Sequence, residues 1–358
     1  MVNVVCVGAG WVVNARHIPA LKKSGRCRVI GIVDKNPARA AASAKTHGLP
    51  HHGDSLDVDW AQAADAFTVG VSPMDHFAVV DRLLETNKHV LMEKPMCLTV
   101  AEGERLVEKA KARSRVLAIV HNFQFARSVL KAKRIVEKGK WGKITALHGF
   151  QWSSPQRRLP HWYEQLPLGL FFDESPHLLY LLRAFGTTSE CCPTKSPVGQ
   201  HSDVVRLRKA SMIPSTLGKS TPAILNIELD AGGIPATLFM NFEAPISEWQ
   251  LMVLCEKGAL VIDIFRDILV KIPTDRAHGA RDIVRSSRKL LGGHLWGFFT
   301  SGIRLLTGRL QYGNDEVVKR FFDAIEGKSP LCDIDGETGL SILRLQHEII
   351  ESVGQAMG

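Results

Sequence analysis

The sequence predicts an α/β protein: a doubly wound parallel sheet at the amino-terminal end, then an α+β domain with a large, mostly antiparallel open sheet. Two observations lead to this prediction. Up to about residue 120, short apolar runs alternate with amphipathic helical patterns, as in parallel sheets covered by helices on both faces. After about residue 125, several apolar runs follow one another with only turn residues between them, which is typical of antiparallel hairpins.

The predicted strands of the amino-terminal part are continuously apolar, as expected for strands that are buried on both faces. In chain order they are VNVVCVGAG, CRVIGIVD, ADAFTVGV, KHVLME and RVLAIVHN. Helical spacing separates them, in NARHIPALKKS, PARAAASAKTH, DHFAVVDRLLETN and TVAEGERLVEKAKAR. Pro37 opens the second of these helices, at a position where its missing N–H group costs nothing.

The carboxy-terminal part begins with one predicted helix, RSVLKAKRIVEKG, and the apolar run KITALHGFQW. Further predicted strands follow after Ala223, in AILNIEL, PATLFMNFE, EWQLMVLCEKGALVIDIF and DILVKIP. Two amphipathic helices, NDEVVKRFFDAIEG and TGLSILRLQHEIIESVGQAM, close the chain. We therefore predict two domains, residues 1–122 and residues 123–358.

Composition limits the class of protein. The chain has 358 residues and 45% hydrophobic content, enough for two cores, and no apolar window is long enough for a membrane span. The opening MVNVVCVGAG lacks the pattern of a signal peptide. The seven cysteines are scattered without metal-ligand spacing, so we expect no metal and reduced thiols in a cytoplasmic protein.

The net charge of +9 is concentrated in one segment. Residues 274–312 contain seven arginine or lysine side chains against two aspartates. A local cationic patch favours an anionic ligand or surface over a dedicated nucleic-acid fold. The pattern of this segment predicts an amphipathic insertion. We favour a lid over the substrate or an oligomer contact for it, rather than a helix on a membrane surface.

A glycine pair at the end of the first predicted strand indicates a dinucleotide site. Gly8 permits a tight turn, and Gly10 lets the backbone approach a pyrophosphate at the start of the following helix. The turn residues Trp11 and Val12 would border the cofactor. Val13 occupies the third position of this fingerprint, where glycine or alanine is usual, so the helix is expected slightly further from the strand.

Asp34 ends the second predicted strand, where a carboxylate accepts hydrogen bonds from an adenosine ribose. The same charge repels a 2′-phosphate, so NAD is the favoured cofactor. Because Lys35 and Arg39 are nearby cations, NADP remains the alternative cofactor.

Several motifs together resemble the Gfo/Idh/MocA oxidoreductases, the family of glucose-fructose oxidoreductase and inositol dehydrogenase. The resemblance extends over essentially the whole chain in the family's order. It rests on GAGWVVNARHIPAL at 8–21, SPMDH at 72–76, KHVLMEKPMCLT at 88–99, DESPH at 173–177 and the closing DGETGLSILRLQHEIIES. The EKP element is the most specific of these.

The resemblance implies a fold with a Rossmann domain and a catalytic role for the EKP lysine. Lys94 would lie beside the nicotinamide and polarise the reacting hydroxyl, because a cation lowers the cost of a developing alkoxide. Glu93 would hold the lysine and the cofactor loop, and the bond before Pro95 would be cis.

The motif DESPH would supply the other catalytic groups. His177 would accept the hydroxyl proton, and Asp173 would orient the substrate or the histidine. Ser175 would cap a helix with Pro176 in its first turn, so that the positive helix end keeps His177 neutral. Ser175 and Tyr180 depart from the family's pattern, which bears on the substrate more than on the reaction.

Weaker signals complete the predicted site. Ser72 and His76 match the family's loop near the nicotinamide ribose, and His121 and Asn122 follow the fifth predicted strand and would face the cleft. A second group lies in the loop before Asp173. There Arg157 and Arg158 would grip a carboxylate or phosphate, and Trp162 would stack on a sugar.

The expected function is hydride transfer between NAD(P) and a secondary hydroxyl of a sugar, cyclitol or anionic sugar derivative such as a sugar phosphate, nucleotide sugar or uronate. Two alternatives stay open at this stage. One is a redox-neutral enzyme with retained NAD that catalyses epimerisation, elimination or glycoside cleavage, and the other is a non-catalytic NAD(P)-binding sensor. The resemblance also implies a homodimer or homotetramer.

Overall fold

The computed structural model describes residues 1–186, 205–275, 278–308 and 310–355. The chain forms two compact units. The first contains Met1–Asn122 and Asn314–Arg344, and the second contains Phe123–Gly313 and Leu345–Gly358. Residues 314–344, which the sequence analysis assigned to the carboxy-terminal domain, thus pack with the amino-terminal one. A helical pattern shows which face of a helix is buried but not which element covers it.

The first unit contains a six-stranded sheet in which every pair of neighbours is parallel. Its strands are β1 (Val2–Val7), β2 (Cys27–Val33), β3 (His51–Gly53), β4 (Ala66–Val69), β5 (His89–Met92) and β6 (Leu117–Ile119), in the order β3-β2-β1-β4-β5-β6. The five predicted strands are confirmed. The short edge strand β3 was not predicted, since its sequence HHG is polar and largely exposed.

Five helices of the first unit connect these strands. They are α1 (Ile18–Ser24), α2 (Pro37–His47), α3 (Asp59–Gln62), α4 (Pro73–Glu85) and α5 (Val100–Ala112), and a π-helical turn, Val13–His17, precedes α1. Local signals fix their ends. The Asn36 side chain accepts a hydrogen bond from the Arg39 N–H group at the start of α2, and Thr99 and Glu102 form a capping box on α5.

The second unit contains a seven-stranded sheet. Its strands are β7 (Ile144–Trp152), β8 (Val205–Ile213), β9 (Ile224–Ala231), β10 (Ile234–Asn241), β11 (Glu248–Cys255), β12 (Gly258–Asp263) and β13 (Ile268–Pro273), in the order β13-β12-β11-β7-β10-β9-β8. All pairs are antiparallel except β7 with β10. The predicted open and mostly antiparallel sheet is confirmed, and strand β8 is an addition to it.

The helices of the second unit are α6 (Arg127–Glu137), α7 (Leu170–Gly186), α8 (Ala280–Gly297) and α9 (Ile303–Leu306), with a π-helical turn, Phe298–Gly302, between the last two. Two more helices follow. Helix α10 (Asn314–Ile325) lies in the first unit, and helix α11 (Gly336–Gln355) includes the division at Arg344 and Leu345.

The cysteines differ in state. Cys6, Cys27, Cys97 and Cys255 are free thiols, as predicted. Cys332 is disulfide-bonded, so the expectation of reduced cysteines was wrong for this residue. Cys191 and Cys192 lie outside the described residues. Among the described helices, none combines the length and apolar character that a bilayer crossing requires.

Candidate active site

The candidate cofactor site lies beyond one edge of the parallel sheet. Strands β1, β4 and β5 are neighbours and run in the same direction, so their carboxyl ends are adjacent. The segments that follow these ends contain Gly8 and Gly10, then Gly70 and Ser72, then Lys94. Ligands of open parallel sheets bind at such an edge, where strand order reverses direction.

The turn after β1 requires a glycine at position 8. Gly8 has φ +92°, and a Cβ atom there would lie 2.5 Å from the Gly70 carbonyl oxygen. A Cβ atom on Gly10 would meet nothing closer than 3.9 Å, so the protein's own packing does not explain that glycine. A pyrophosphate that approaches the backbone would explain it. The turn therefore fits a dinucleotide.

Val13, at the third fingerprint position, fits because a glycine follows the neighbouring strand β4. A Cβ atom on Gly70 would lie 2.5 Å from Cγ2 of Val13, so the absence of a side chain at Gly70 makes room for the valine. Trp11 is 71% exposed, and the Arg16 guanidinium stacks on its indole at 5.4 Å. Both predicted turn contacts, Trp11 and Val12, stay predictions.

Asp34 is buried and fully engaged at the end of β2. Its carboxylate accepts hydrogen bonds from the N–H groups of Ala9 (2.7 Å) and Asn36 (2.8 Å) and from Arg39 (2.7 and 3.0 Å). Burial raises the pKa of Asp34, but Arg39 and the two N–H groups outweigh it, so the net shift is downward. An ionised carboxylate with a paired arginine therefore stands where the adenosine ribose is expected.

Glu93 is the centre of a buried cluster that the sequence analysis did not find. His17 Nε2 lies 2.8 Å from its carboxylate, and His17 Nδ1 lies 2.5 Å from the Thr68 hydroxyl. Because a carboxylate only accepts, Nε2 carries a proton, and Nδ1 pairs with the Thr68 hydroxyl. The buried imidazole thus connects strand β4 to the EKP segment.

The charge of Glu93 is maintained despite burial. Burial raises the pKa of Glu93, but the hydrogen bond and charge of His17 and the charge of Lys94 outweigh it, and the pKa is lowered overall. The Lys94 N–H group also donates to the carboxylate at 3.2 Å. The predicted cis bond between Lys94 and Pro95 is confirmed.

His76 supports the same turn from helix α4. It is buried, and its Nδ1–H group donates to the Pro95 carbonyl oxygen at 2.7 Å. Burial lowers the pKa of His76. Ser72 stands at the amino end of α4 and donates to Asp75 at 2.9 Å. A contact between His76 and the cofactor stays a prediction. In the structure, His76 bonds the EKP turn.

The second unit places Asp173 and His177 on one face of helix α7, four residues apart. The predicted helix start at Ser175 was wrong, because α7 begins at Leu170 and contains Pro176. His177 is therefore not at a positive helix end, and that argument for a neutral imidazole does not hold. The side chain of Gln346 compensates for the proline.

Proline lacks an N–H group, so Pro176 leaves the carbonyl four residues earlier, that of Phe172, without its helical partner. Gln346 Nε2 donates to this carbonyl at 2.8 Å and to the Ser175 hydroxyl at 2.9 Å. The buried polar groups around the kink position are thus satisfied.

Tyr180, which departs from the family pattern, contacts His177. The tyrosine hydroxyl lies 2.8 Å from His177 Nδ1 and accepts the Phe123 N–H group at 3.1 Å. The imidazole is nine-tenths buried, with ring centroids of Phe123 and Trp249 at 4.8 and 5.4 Å. Aromatic side chains and one hydroxyl therefore fix the plane of the ring.

The predicted substrate arginines differ in their surroundings. Arg157 forms an ion pair with the buried Glu174, which Gln151 also contacts. Arg158 is exposed, and Trp162 is half-buried in the 3₁₀ turn His161–Gln165. The roles of all three in substrate binding stay predictions.

After β6, His121 is buried and Asn122 is half-buried. Within the described ranges no group of three or more metal-ligating side chains is present. The predicted convergence of Lys94 and His177 on one substrate stays a prediction.

The fold and this edge define a dinucleotide-binding protein. Residues 2–121 match the family model GFO_IDH_MocA, described as "Oxidoreductase family, NAD-binding Rossmann fold". This region is thus similar to the NAD-binding domain of the Gfo/Idh/MocA oxidoreductases.

Two curated relatives are similar over part of the chain. The D-xylose 1-dehydrogenase [NADP(+)] of Haloarcula marismortui is 26% identical over 41% of this chain and 42% of its own. The dTDP-3,4-didehydro-2,6-dideoxy-alpha-D-glucose 3-reductase of Streptomyces antibioticus is 35% identical over 33% of this chain and 35% of its own. The matched region thus spans less than half the length of either relative.

A solved structure shares the fold over the whole chain. The WlbA dehydrogenase of Bordetella pertussis, solved in complex with NADH and UDP-GlcNAcA, has a TM-score of 0.74 with 18% identity, and the match covers 99% of this chain and 97% of that one. At this identity the likeness shows the fold alone.

Proposed function

We propose that the protein is an NAD(P)-dependent dehydrogenase that acts on a secondary hydroxyl of an anionic sugar derivative, with a nucleotide sugar as the first candidate. The observation that carries this proposal is the support of the EKP turn. Buried His17 and His76 hold Glu93 and Pro95 on either side of Lys94, at the sheet edge that fits a dinucleotide. Such buried polar support serves to hold a reactive group in one position.

The cofactor would be held by the turn after β1 and by Asp34. Gly8 and Gly10 leave the backbone accessible to the pyrophosphate. The Asp34 carboxylate would accept the ribose hydroxyls in place of its bonds from the exposed Arg39 guanidinium. A bound nicotinamide supplies a ring carbon that accepts or releases hydride. Arg39 lies beside Asp34 and would also accept a 2′-phosphate, so both NAD and NADP belong in the binding assay.

Lys94 would stabilise the substrate oxygen. Loss of hydride from a carbinol carbon requires loss of the hydroxyl proton, and an ammonium group lowers the cost of the developing negative charge. The ionised, buried Glu93 favours the charged form of its neighbour Lys94 through their Coulomb attraction.

His177 would accept the hydroxyl proton. The Tyr180 hydroxyl has two lone pairs, so it can accept hydrogen bonds from both the Phe123 N–H group and a protonated His177 Nδ1. In this tautomer Nε2 has a lone pair and acts as the base. Asp173, one helical turn earlier, would orient the substrate hydroxyl.

Charge and the names of the relatives support the proposed substrate class. Arg158 is an exposed cation, and Trp162 in the same loop offers a face for a sugar ring. One relative is named for a dTDP-sugar, and the WlbA structure was solved with a UDP-sugar. These names favour nucleotide sugars as the first compounds to assay.

The first experiment is a thermal-shift screen with NAD, NADP, sugars, sugar phosphates, uronates and nucleotide sugars, because a ligand that binds only the folded state raises Tm. Hits are then assayed for nicotinamide reduction by absorbance. Lys94→Met and His177→Asn should each lower kcat by about 100-fold or more, with cofactor Kd nearly unchanged.

Matched controls are Lys88→Met, at the other end of β5, and His148→Asn on β7. Neither should change kcat appreciably. Wild-type turnover in both catalytic variants would refute the proposed roles. Ligand binding without reduction of any compound would indicate a sensor, and product formation without net NADH would indicate a redox-neutral enzyme.

A further inference from the structure

One surface of the second unit is unusual in its polarity. Helix α8, the π-helical turn and helix α9 follow one another without a break from Ala280 to Leu306, and we call this segment the 280–306 helix. Sequence analysis predicted that it is amphipathic. The structure shows that its apolar side chains face away from the protein.

The side of the 280–306 helix that contacts strand β13 has glycines at its closest positions. A Cβ atom on Gly297 would lie 2.6 Å from the Ile268 side chain, and one on Gly293 would lie 3.3 Å from Val270. Four residues after Gly297, the Ser301 hydroxyl donates to the Asp267 carbonyl oxygen at 3.0 Å. The helix therefore approaches the strand closely at these positions.

The large apolar residues lie on the opposite side and are exposed. Leu291, Leu295 and Phe298 have the spacing i, i+4, i+7, which forms one stripe along a helix. The exposed group also includes Trp296, Phe299, Ile303, Leu305 and Leu306. Phe298 is 68% exposed and Leu306 is 89% exposed. Single exposed apolar residues are ordinary, but a contiguous group marks an interaction surface.

Cations stand in the first half of the same helix. Arg281 and Arg288 are exposed and seven residues apart, on the stripe that continues into Leu291 and Leu295. Throughout the described ranges, Arg281, Arg288 and Lys289 form no salt bridge. A partner that covers this surface must therefore supply both an apolar phase and negative charge.

We propose that the 280–306 helix binds the surface of an anionic lipid bilayer, with its aromatic and leucine side chains in the headgroup–acyl boundary and its arginines at lipid phosphates. This combination of basic residues with Trp, Phe and Leu is that of interfacial helices. A second copy of the chain would bring a second set of unpaired cations to the same surface, whereas anionic headgroups neutralise them. Charge complementarity therefore favours the lipid.

The first test measures cosedimentation of the full chain with vesicles of phosphatidylcholine alone or mixed with phosphatidylglycerol. We expect binding to the mixed vesicles only, and weaker binding as salt increases. The triple variant Leu295→Ser, Phe298→Ser, Phe299→Ser should weaken partitioning by about 100-fold or more, because three large apolar side chains no longer enter the bilayer. The control variant Ile213→Ser, Leu217→Ser alters two exposed apolar residues elsewhere and should bind as the wild type does.

The second test separates charge from apolar burial. The double variant Arg281→Ala, Arg288→Ala should weaken binding to the mixed vesicles by about 25-fold, because each cation near an anionic surface strengthens binding about fivefold. The control Arg113→Ala, Lys140→Ala removes two exposed cations elsewhere and should have little effect.

Two results would overturn the proposal: no binding of the wild type to either vesicle, or equal vesicle binding by the wild type and the apolar triple variant. In the first case the triple variant is then checked for a halved solution mass. A halved mass, from light scattering, would assign the surface to a second copy. Because none of the substituted residues belongs to the proposed active site, melting temperature and NAD binding serve as checks that each variant is folded.

Discussion

His17 offers the sharpest test of how the EKP segment is supported. His17→Leu removes the only imidazole that contacts Glu93 in the described structure, and it leaves a buried carboxylate with the Lys94 N–H group and the Lys94 charge. We expect a large, pH-dependent loss of stability, because a buried ion without its partner must either stay charged in a poor environment or take up a proton.

The size of this stability loss follows from the cost of protonating the Glu93 carboxylate. The ordinary pKa of this carboxyl is 4.5. Protonating such a group costs about 1.4 kcal/mol for each pH unit above its pKa, hence about 3.4 kcal/mol at pH 7 and about 0.7 kcal/mol at pH 5. The penalty for an unpaired buried charge is about 3–5 kcal/mol, so at pH 7 the two options cost similar amounts. The expected loss is therefore about 3 kcal/mol at pH 7 and about 1 kcal/mol at pH 5.

The sign of the pH effect is specific. In the wild type the pKa of Glu93 is lowered, so its stabilising contribution is present above the unfolded value and is lost as pH falls below about 4.5. In the variant the folded pKa is raised, so stability is lost as pH rises above that value. Between pH 5 and pH 7 the difference between the two proteins must therefore increase with pH.

The assay is urea unfolding followed by circular dichroism at several pH values in this range. His17→Gln retains an N–H donor and should recover much of the loss. His47→Leu removes another histidine of the first unit, which bonds Asn14 at 3.1 Å, and should cost less than about 1 kcal/mol. A His17→Leu penalty that is small, or that does not increase with pH, would refute the reasoning.

Three further predictions test separate parts of the fold and site. Gly8→Ala should weaken NAD binding at least about tenfold by calorimetry, because the position has φ +92° and no room for a Cβ atom, whereas Gly48→Ala, with open space, should not. Arg39→Ala should raise the Kd for NADP about tenfold more than that for NAD, since it removes the cation available to a 2′-phosphate. Gln346→Leu should lower the unfolding free energy by about 2 kcal/mol in urea titrations, because the Phe172 carbonyl is then buried without a partner.

The parallel sheet could be predicted from the sequence because each strand is apolar on both faces and the helices between them have clear starts. Pro37 and the Thr99–Glu102 pair are such signals, and both stand at helix starts in the structure. Pairing between distant strands leaves no comparable local trace. The parallel contact of β7 with β10 depends on residues about ninety positions apart, and hairpin patterns do not reveal it.

The site was predictable only where a motif is local. Gly8, Asp34 and the EKP segment are each short patterns, whereas His17 is buried by contacts 51 and 76 residues away along the chain. Its one sequence signal is a histidine between apolar positions, which more often marks an ordinary core residue. The helix start at Ser175 was misplaced for a related reason: Ser-Pro is a common helix opening, and the donor that permits Pro176 inside α7 is Gln346.

These supports explain how a buried acid can stand beside Lys94, the proposed catalytic lysine. Glu93 keeps its charge because its two hydrogen bonds and the charges of His17 and Lys94 outweigh the cost of burial. The two buried histidines act on different atoms of the segment: His17 bonds the Glu93 carboxylate, and His76 bonds the Pro95 carbonyl. Lys94 lies between these two fixed points, so its backbone is restrained from both sides. In the role proposed for Lys94, loss of either histidine should therefore affect catalysis through the position of the lysine.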